Sequence, residues 1–441
     1  MQITCRGRRG AFGRSDADKL NGPLPGSETE TDSATAAAAR IAILYPADPA
    51  AHLPSGIDSF IRGVLKWAPP NLEYVLFGGT TDPDARPVGR EHRFMLGDRP
   101  ARNFPLVVLD KSASRRGVPV TIRYLWALWR HCAAGGLADF DILEAHRIEP
   151  LALLRSDPRP KNLILHQDMS VLRDRNSDIL WRNAPWMYEA LERRVLPSVT
   201  RLFIVRESAV ARYAILYPAL ADRISFIPTL VDTEVFGPQT ESQRRLARTE
   251  LVSTLAARDI RHILVFVGRF DRQKDPLLLV ETFKALTPRE ARLHLVMIGD
   301  GVLRPQIERE IRAAGLEQFV TLMRGKTASE IARVHAASDL FVLSSAYEGM
   351  PIAVLEAQAT GLPVVSTDVG EIRRVVTDGI NGRITPARTP AALAATVRRA
   401  LGEIESMRGA PCIEAVQPYH PQSVLKHLYE TYARQLTLRT G

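Results

Sequence analysis

Glu348 and Glu356 stand eight positions apart in the stretch Ser344 to Gly370, SSAYEGMPIAVLEAQATGLPVVSTDVG. Ionised carboxylates only accept hydrogen bonds, so a ligand rich in hydroxyls is a natural partner for such a pair. Two carboxylates also suit the acid and base work done on glycosidic bonds, and solvated surface glutamates are the plain alternative. Upstream, Arg269 and Lys274 follow Gly268 in the run GRFDRQK. Two cations beside a glycine turn suit a diphosphate, Arg through its planar fork and Lys as a point charge; the bland reading is two exposed basic residues on a loop. Gly299-Asp300-Gly301 offers backbone N–H groups to an anion, or is a common turn. His146 and His166 each end a strand-like run, where an imidazole either bonds a polar ligand near neutral pH or is satisfied internally.

These residues need a scaffold that brings loop ends together. Short apolar runs predict strands at 41–45, 74–77, 106–109, 142–143, 163–165 and 202–205, with helices at 57–67, 120–133 and 184–196. That alternation is the signature of a doubly wound sheet over about 40–230. The segment 228–238, PTLVDTEVFGP, reads as a crossing between domains, and 241–259 as a charged, solvated helix. A second alternation follows, with strands at 263–267, 293–298, 319–323, 340–343 and 363–366. Ligands of such sheets collect at the carboxyl ends of the strands, where the Gly268–Lys274 loop and the Ser344–Pro351 loop both fall. Gly56, in the loop after the first strand, would let backbone approach a phosphate there, or marks a bare turn. Trp126 and Trp129 share one helix face flanked by Arg123 and Arg130; core packing is the favoured reading, with membrane contact as the minor one. The segments 86–105 and 168–186 read as loops of the first domain.

Composition bounds the rest. With 441 residues and 45% hydrophobic content, the chain exceeds the roughly 250–300 residues at which one core stops growing, so two domains are expected. Three cysteines without metal-like spacing argue against a disulfide framework or a zinc site and for a reducing, cytoplasmic setting. No apolar run reaches the roughly 18–20 residues of a membrane span. The net charge of +9 suits phosphorylated substrates, an anionic membrane or nucleic acid; nucleic acid is disfavoured because no binding motif or basic–aromatic stripe accompanies it. Residues 1–39, rich in Gly, Ser, Thr, Ala and Arg without periodicity, read as a disordered leader.

Taken together, VGRFDRQKDP at 267–276, IGDG at 298–301, the 344–372 segment and DGINGRI at 378–384 resemble the retaining glycosyltransferases of family 4. The resemblance is specific over 260–390 and weaker over 40–236. It implies an α/β chain of GT-B architecture, two Rossmann-like doubly wound domains facing across a cleft: 40–236 on the acceptor side, 237–415 holding the donor nucleotide, and a C-terminal helix, 416–441, packing back toward the first domain. By position, Arg269 and Lys274 would hold the diphosphate, Glu348 the sugar hydroxyls and Glu356 the ribose. Backbone at Gly268, Gly299, Asp300, Gly349, Met350 and Ile352 would surround the phosphates and sugar. Met323, Arg324 and Gly325 would line the base. His166, in LILHQDM, resembles the active-site histidine and is preferred to His146; Gly56 would be the glycine of the first loop, although Ser55-Gly56 replaces the usual Gly-Gly pair.

The expected activity is metal-independent transfer, with retention, of a sugar from a nucleotide-diphosphate-sugar, a substrate rather than a cofactor. The acceptor is a hydroxyl of a glycan or lipid-linked acceptor in envelope polysaccharide or exopolysaccharide synthesis, in the cytoplasm or peripherally on the inner face of the membrane. The alternatives are a nucleotide-sugar epimerase of the same architecture and a non-catalytic nucleotide-sugar-binding protein.

Overall fold

The structure is a computed structural model that describes residues 38–51, 56–109, 118–166, 185–256, 259–286 and 292–440. Residues 1–37 of the expected leader, Ser55 and nearly all of the expected 168–186 loop lie outside the described residues, while Ala39, assigned to the leader, opens the first strand. Eight strands form the first sheet: β1 (Ala39–Leu44), β2 (Leu72–Thr80), β3 (His92–Leu96), β4 (Arg99–Val108), β5 (Ile142–Ala145), β6 (Lys161–Leu165), β7 (Arg201–Ile204) and β8 (Ile224–Phe226), in the order β3-β4-β2-β1-β5-β6-β7-β8. Neighbours are parallel except β3, which runs antiparallel to β4. Six strands form the second, all-parallel sheet: β9 (His262–Val267), β10 (Leu293–Ile298), β11 (Val320–Met323), β12 (Leu340–Leu343), β13 (Val364–Ser366) and β14 (Gly382–Ile384), in the order β11-β10-β9-β12-β13-β14.

The strands read as unbroken apolar runs because both faces of each sheet are covered. Along β1, Ala42 and Leu44 enter a core with Tyr124 and Leu128 of the helix Val120–Ala133. Ile41 and Ile43 face the other way, onto Phe60 of the helix Gly56–Lys66 and onto Val424, Leu425, Leu428 and Tyr432. Those last four belong to the C-terminal helix Pro421–Thr440, which therefore covers a face of the first sheet. In β9 the alternation repeats, Ile263 and Val265 entering one core, Leu264 and Phe266 the other.

Three expectations need correction. The 86–105 segment is not a loop: β3 and β4 make an edge hairpin that turns at Gly97, whose φ of 65° only glycine adopts readily. The helix Glu241–Thr254 is not wholly solvated, since Ala247 and Leu251 are buried in the core that holds Ala332 and Ala336. Trp126 and Trp129 are not core residues. They are 58% and 55% exposed, because Tyr124 and Leu128 occupy the buried face of their helix.

Chain order reverses direction between β1 and β5 in the first sheet and between β9 and β12 in the second. At such a switch point the loops leaving the two strands diverge and open a crevice at the carboxyl edge. The crossing segment is fastened to the first half by Lys66, which sits 2.8 Å from Asp232 and 2.7 Å from Glu234.

Candidate active site

The second switch point gathers the charged residues. Val267 ends β9, and the loop that follows is folded by Asp271, whose carboxylate accepts from the Lys274 backbone N–H at 3.0 Å and pairs with Arg269 at 3.0 Å. Arg269 also donates to Gln273 at 2.8 Å, leaving its guanidinium half exposed at the loop tip. After β12, the Ser344 hydroxyl donates to the carbonyls of Lys274 and Asp275, at 3.0 and 2.9 Å, and the Ala346 N–H donates to Gln273. The two loops are thus sewn together.

That stitching sets Lys274 Nζ 2.6 Å from Glu348 Oε1, with the Ser345 hydroxyl donating to the same oxygen at 2.6 Å. Both bonds fall on Oε1, so Oε2 keeps its lone pairs for a further donor. Glu348 is only 7% exposed, and a buried carboxylate with a cation and a hydroxyl on one oxygen is held in one orientation. Glu356 lies one turn into the helix Ile352–Ala359, half-buried. Burial pushes its carboxyl from 4.5 up to about 7, Lys274 working against that and Asp232 with it.

Glycines let backbones close over this crevice. A Cβ on Gly370, where φ is 56°, would lie 2.2 Å from the Gly349 carbonyl oxygen, and one on Gly299 would lie 1.9 Å from that of Gly268. Gly349 is exposed, and Met350 and Ile352 are half-buried at the start of the helix. Gly56 starts the helix Gly56–Lys66 in the first half, and a Cβ there would meet Ile352 Cδ1 at 3.2 Å. Two helix N-termini, each a site of unpaired N–H groups, therefore meet across the two halves. Farther along the same carboxyl edge, the Gly299 N–H donates to Met323, and Arg324 is largely exposed 4.0 Å from Asp300. Gly325 is open to solvent, with nothing near a Cβ there.

Residues 248–408 match the family model of the glycosyl transferases group 1. This agrees with the resemblance carried by the 260–390 motifs. The chain is 27% identical over 252 residues to a D-inositol 3-phosphate glycosyltransferase of Corynebacterium urealyticum, covering 56% of this chain and 57% of that protein. It spans little more than half the length of the curated relatives it matches. Among solved structures it is similar to the sucrose-phosphate synthase of Thermosynechococcus elongatus, with a TM-score of 0.73 at 20% identity, covering 91% of this chain and 100% of that one. It is also similar to Anabaena Alr3699/HepE in complex with UDP-glucose, with a TM-score of 0.66 at 15% identity, covering 90% and 99%. At these identities the structural likeness shows the fold, two Rossmann-like doubly wound halves of GT-B type.

The two histidines of the first half separate clearly. His146 is buried, and its Nε2 lies 2.8 Å from Glu144 Oε1. His166 follows β6 half-buried, its Nε2 2.9 Å from His146 Nδ1. Burial, then the neighbouring His146, holds its pKa well below 6.5, so it is neutral at physiological pH. Sequence reasoning missed Ser345 and Gln273, which have no signal beyond adjacency, and Glu144, whose place inside a strand concealed it.

Proposed function

We propose that this chain is a retaining, metal-independent glycosyltransferase that moves a sugar from a nucleotide-diphosphate-sugar to a hydroxyl of a glycan or lipid-linked acceptor. The observation that carries the reading is the Lys274–Glu348–Ser345 cluster at the second switch point, with Arg269 at the adjoining loop tip. Two cations at the carboxyl edge match the charge that grows on a departing diphosphate, the usual electrostatic role, and so supply what a divalent ion would otherwise supply. Glu348 Oε2 accepts from the donor sugar's hydroxyls and Glu356 from the ribose. Backbone at Gly268, Gly299, Asp300, Gly349, Met350 and Ile352 surrounds the diphosphate and sugar, Met323 to Gly325 flank the base, and Gly56 closes the crevice from the first half.

In the reaction, the acceptor oxygen forms its bond to the anomeric carbon on the face from which the diphosphate departs. The carbon–phosphate-oxygen bond breaks, and that oxygen takes the acceptor's proton. His166 faces the donor sugar as a neutral imidazole. Envelope polysaccharide or exopolysaccharide synthesis is the setting that fits such an acceptor.

Among the described residues no helix is long and apolar enough to cross a membrane. A lipid-linked acceptor is instead served by the exposed face of Val118, Ile122, Trp126 and Trp129, where Arg130 stacks 4.8 Å over Trp126. Tryptophan and arginine together suit an interfacial seat on anionic lipid. The reading is tested by donor turnover in Lys274→Ala and Glu348→Gln, and near-wild-type rates in both would remove the proposed roles.

A further inference from the structure

Behind His166, three further polar side chains, His146, Glu144 and Tyr432, run into the core of the first half. Glu144 and His146 project from β5 and the residue after it, His166 follows β6, and Tyr432 comes from the C-terminal helix, 288 positions from Glu144. Glu144 and Tyr432 are fully buried. Tyr432 donates its hydroxyl to Glu144 Oε2 at 2.6 Å, while Oε1 lies 2.8 Å from His146 Nε2. Asn162, also on β6, exchanges two hydrogen bonds of 2.9 Å with Gln435 one turn farther along the same helix. An apolar interface would hold the helix as firmly, since breaking even for a buried polar network requires every member to be satisfied.

Resting on the glycosyltransferase reading, we propose that Glu144, clamped by Tyr432, is a positioning residue that fixes the tautomer of His166 through His146. The direction of each bond follows from the chemistry of the groups. A carboxylate has no proton to give, so His146 donates from Nε2. An uncharged imidazole that donates from Nε2 keeps only its Nδ1 lone pair, and in that form of His146 the proton between the rings sits on His166 Nε2. This leaves His166 Nδ1 unprotonated, an acceptor for a hydroxyl. Without a carboxylate at position 144 the order can reverse, and Nδ1 of His166 becomes a donor. One bond on the far side of the core therefore sets the sign of the hydrogen bond that His166 makes, as orienting carboxylates do for other imidazoles.

Tyr432 and Tyr429 from the C-terminal helix and Tyr74 from β2 all have pKa values raised by burial first and Glu144 second, so they remain protonated. Phe60 sits edge-on to both imidazoles. Tyr45, near Asp58, is edge-on to His146, and Arg147 is occupied by Glu149 at 2.6 Å.

The test uses the full chain labelled with 15N-histidine, in which nitrogen shifts distinguish the tautomers. In the wild type His166 should be protonated at Nε2. Glu144→Gln, whose amide can give its single oxygen to Tyr432 and turn its NH2 toward His146, should move His166 toward the Nδ1–H form; Tyr432→Phe should shift the same signals less. In a nucleotide-sugar turnover assay Glu144→Gln should lower kcat by about tenfold or more while the donor KM stays within about twofold. A wild-type His166 protonated at Nδ1, or His166 nitrogen shifts unchanged in both variants, would overturn the proposal. If Glu144→Gln does not fold, the wild-type spectrum and Tyr432→Phe decide. Absence of turnover of any nucleotide sugar by the wild type would instead overturn the glycosyltransferase reading, and the nitrogen shifts would still decide the relay.

Discussion

Lys274 and Glu348 neutralise each other at 2.6 Å, and the pair is almost closed to solvent. Removing the cation leaves a buried carboxylate without its partner and takes away charge stabilisation of the leaving group. Lys274→Ala should therefore lower donor turnover by about 10²- to 10³-fold, measured as nucleotide release. Glu348→Gln keeps the shape and frees the ammonium, so its loss should fall more on sugar discrimination, read as a narrowed ratio of rates among nucleotide sugars. Glu356 makes a pH prediction whose sign is fixed by burial. Its carboxyl is raised to about 7 in the folded chain, so the folded state holds a proton that the unfolded state has released. This contribution is complete below 4.5 and is lost as pH rises through about 7. Glu356→Gln, which cannot ionise, should show a thermal midpoint that gains on the wild type between pH 5 and 8, and parallel curves would contradict the assignment.

Among the elements, the loops after β9 and β12 act as one unit because Ser344 and Ala346 tie their backbones together, and the Thr367 hydroxyl adds the loop after β13 by donating to the Ser345 carbonyl. Gly370 completes the unit, since the carbonyls of both Glu348 and Gly349 lie within 2.5 Å of where its Cβ would stand. Gly370→Ala should cost about 1–3 kcal/mol of stability and abolish nucleotide binding by calorimetry. Gly402→Ala, at a helix end with nothing near its Cβ, should leave both unchanged. This is also the scale at which the sequence was most readable. Glycine turns and charged residues at strand ends are local features, so the loops of the second half could be placed from spacing alone. The same pattern did not distinguish contact from scaffold. In DGINGRI, Arg383 pairs with both Asp378 and Glu403, and Asn381 is buried against Gln358 and the Val375 carbonyl, so these residues hold β14 in place. The helix Val120–Ala133 misled for a related reason: it is apolar on two faces, and periodicity does not say which one meets the sheet. The Glu144–Tyr432 contact was not legible even though the C-terminal helix was expected to pack back on the first domain, because spacing within a strand or a helix does not say which residues of two distant elements meet.

Over the whole molecule, the two halves touch where function would need them to. Gly56 meets Ile352, Arg374 pairs with Glu207, and the Ser208 N–H donates to Glu371 at 3.4 Å. The exposed tryptophans stand apart from these contacts. Trp126→Ala and Trp129→Ala should change stability by no more than about 0.5 kcal/mol while weakening co-flotation with vesicles rich in anionic lipid, and equal flotation would remove the membrane seat. The central claim is sugar transfer from a nucleotide-diphosphate-sugar. Its most direct measurement incubates the wild-type chain with a panel of such donors and glycan or lipid-linked acceptors, with and without EDTA, and follows by mass spectrometry the sugar mass added to acceptor. One donor's sugar should appear on an acceptor at the same rate in both conditions, with the anomeric configuration kept, as read from the anomeric proton coupling of the product by NMR. An isomerised nucleotide sugar formed without acceptor, or donor binding with no transfer to any acceptor, would contradict that claim.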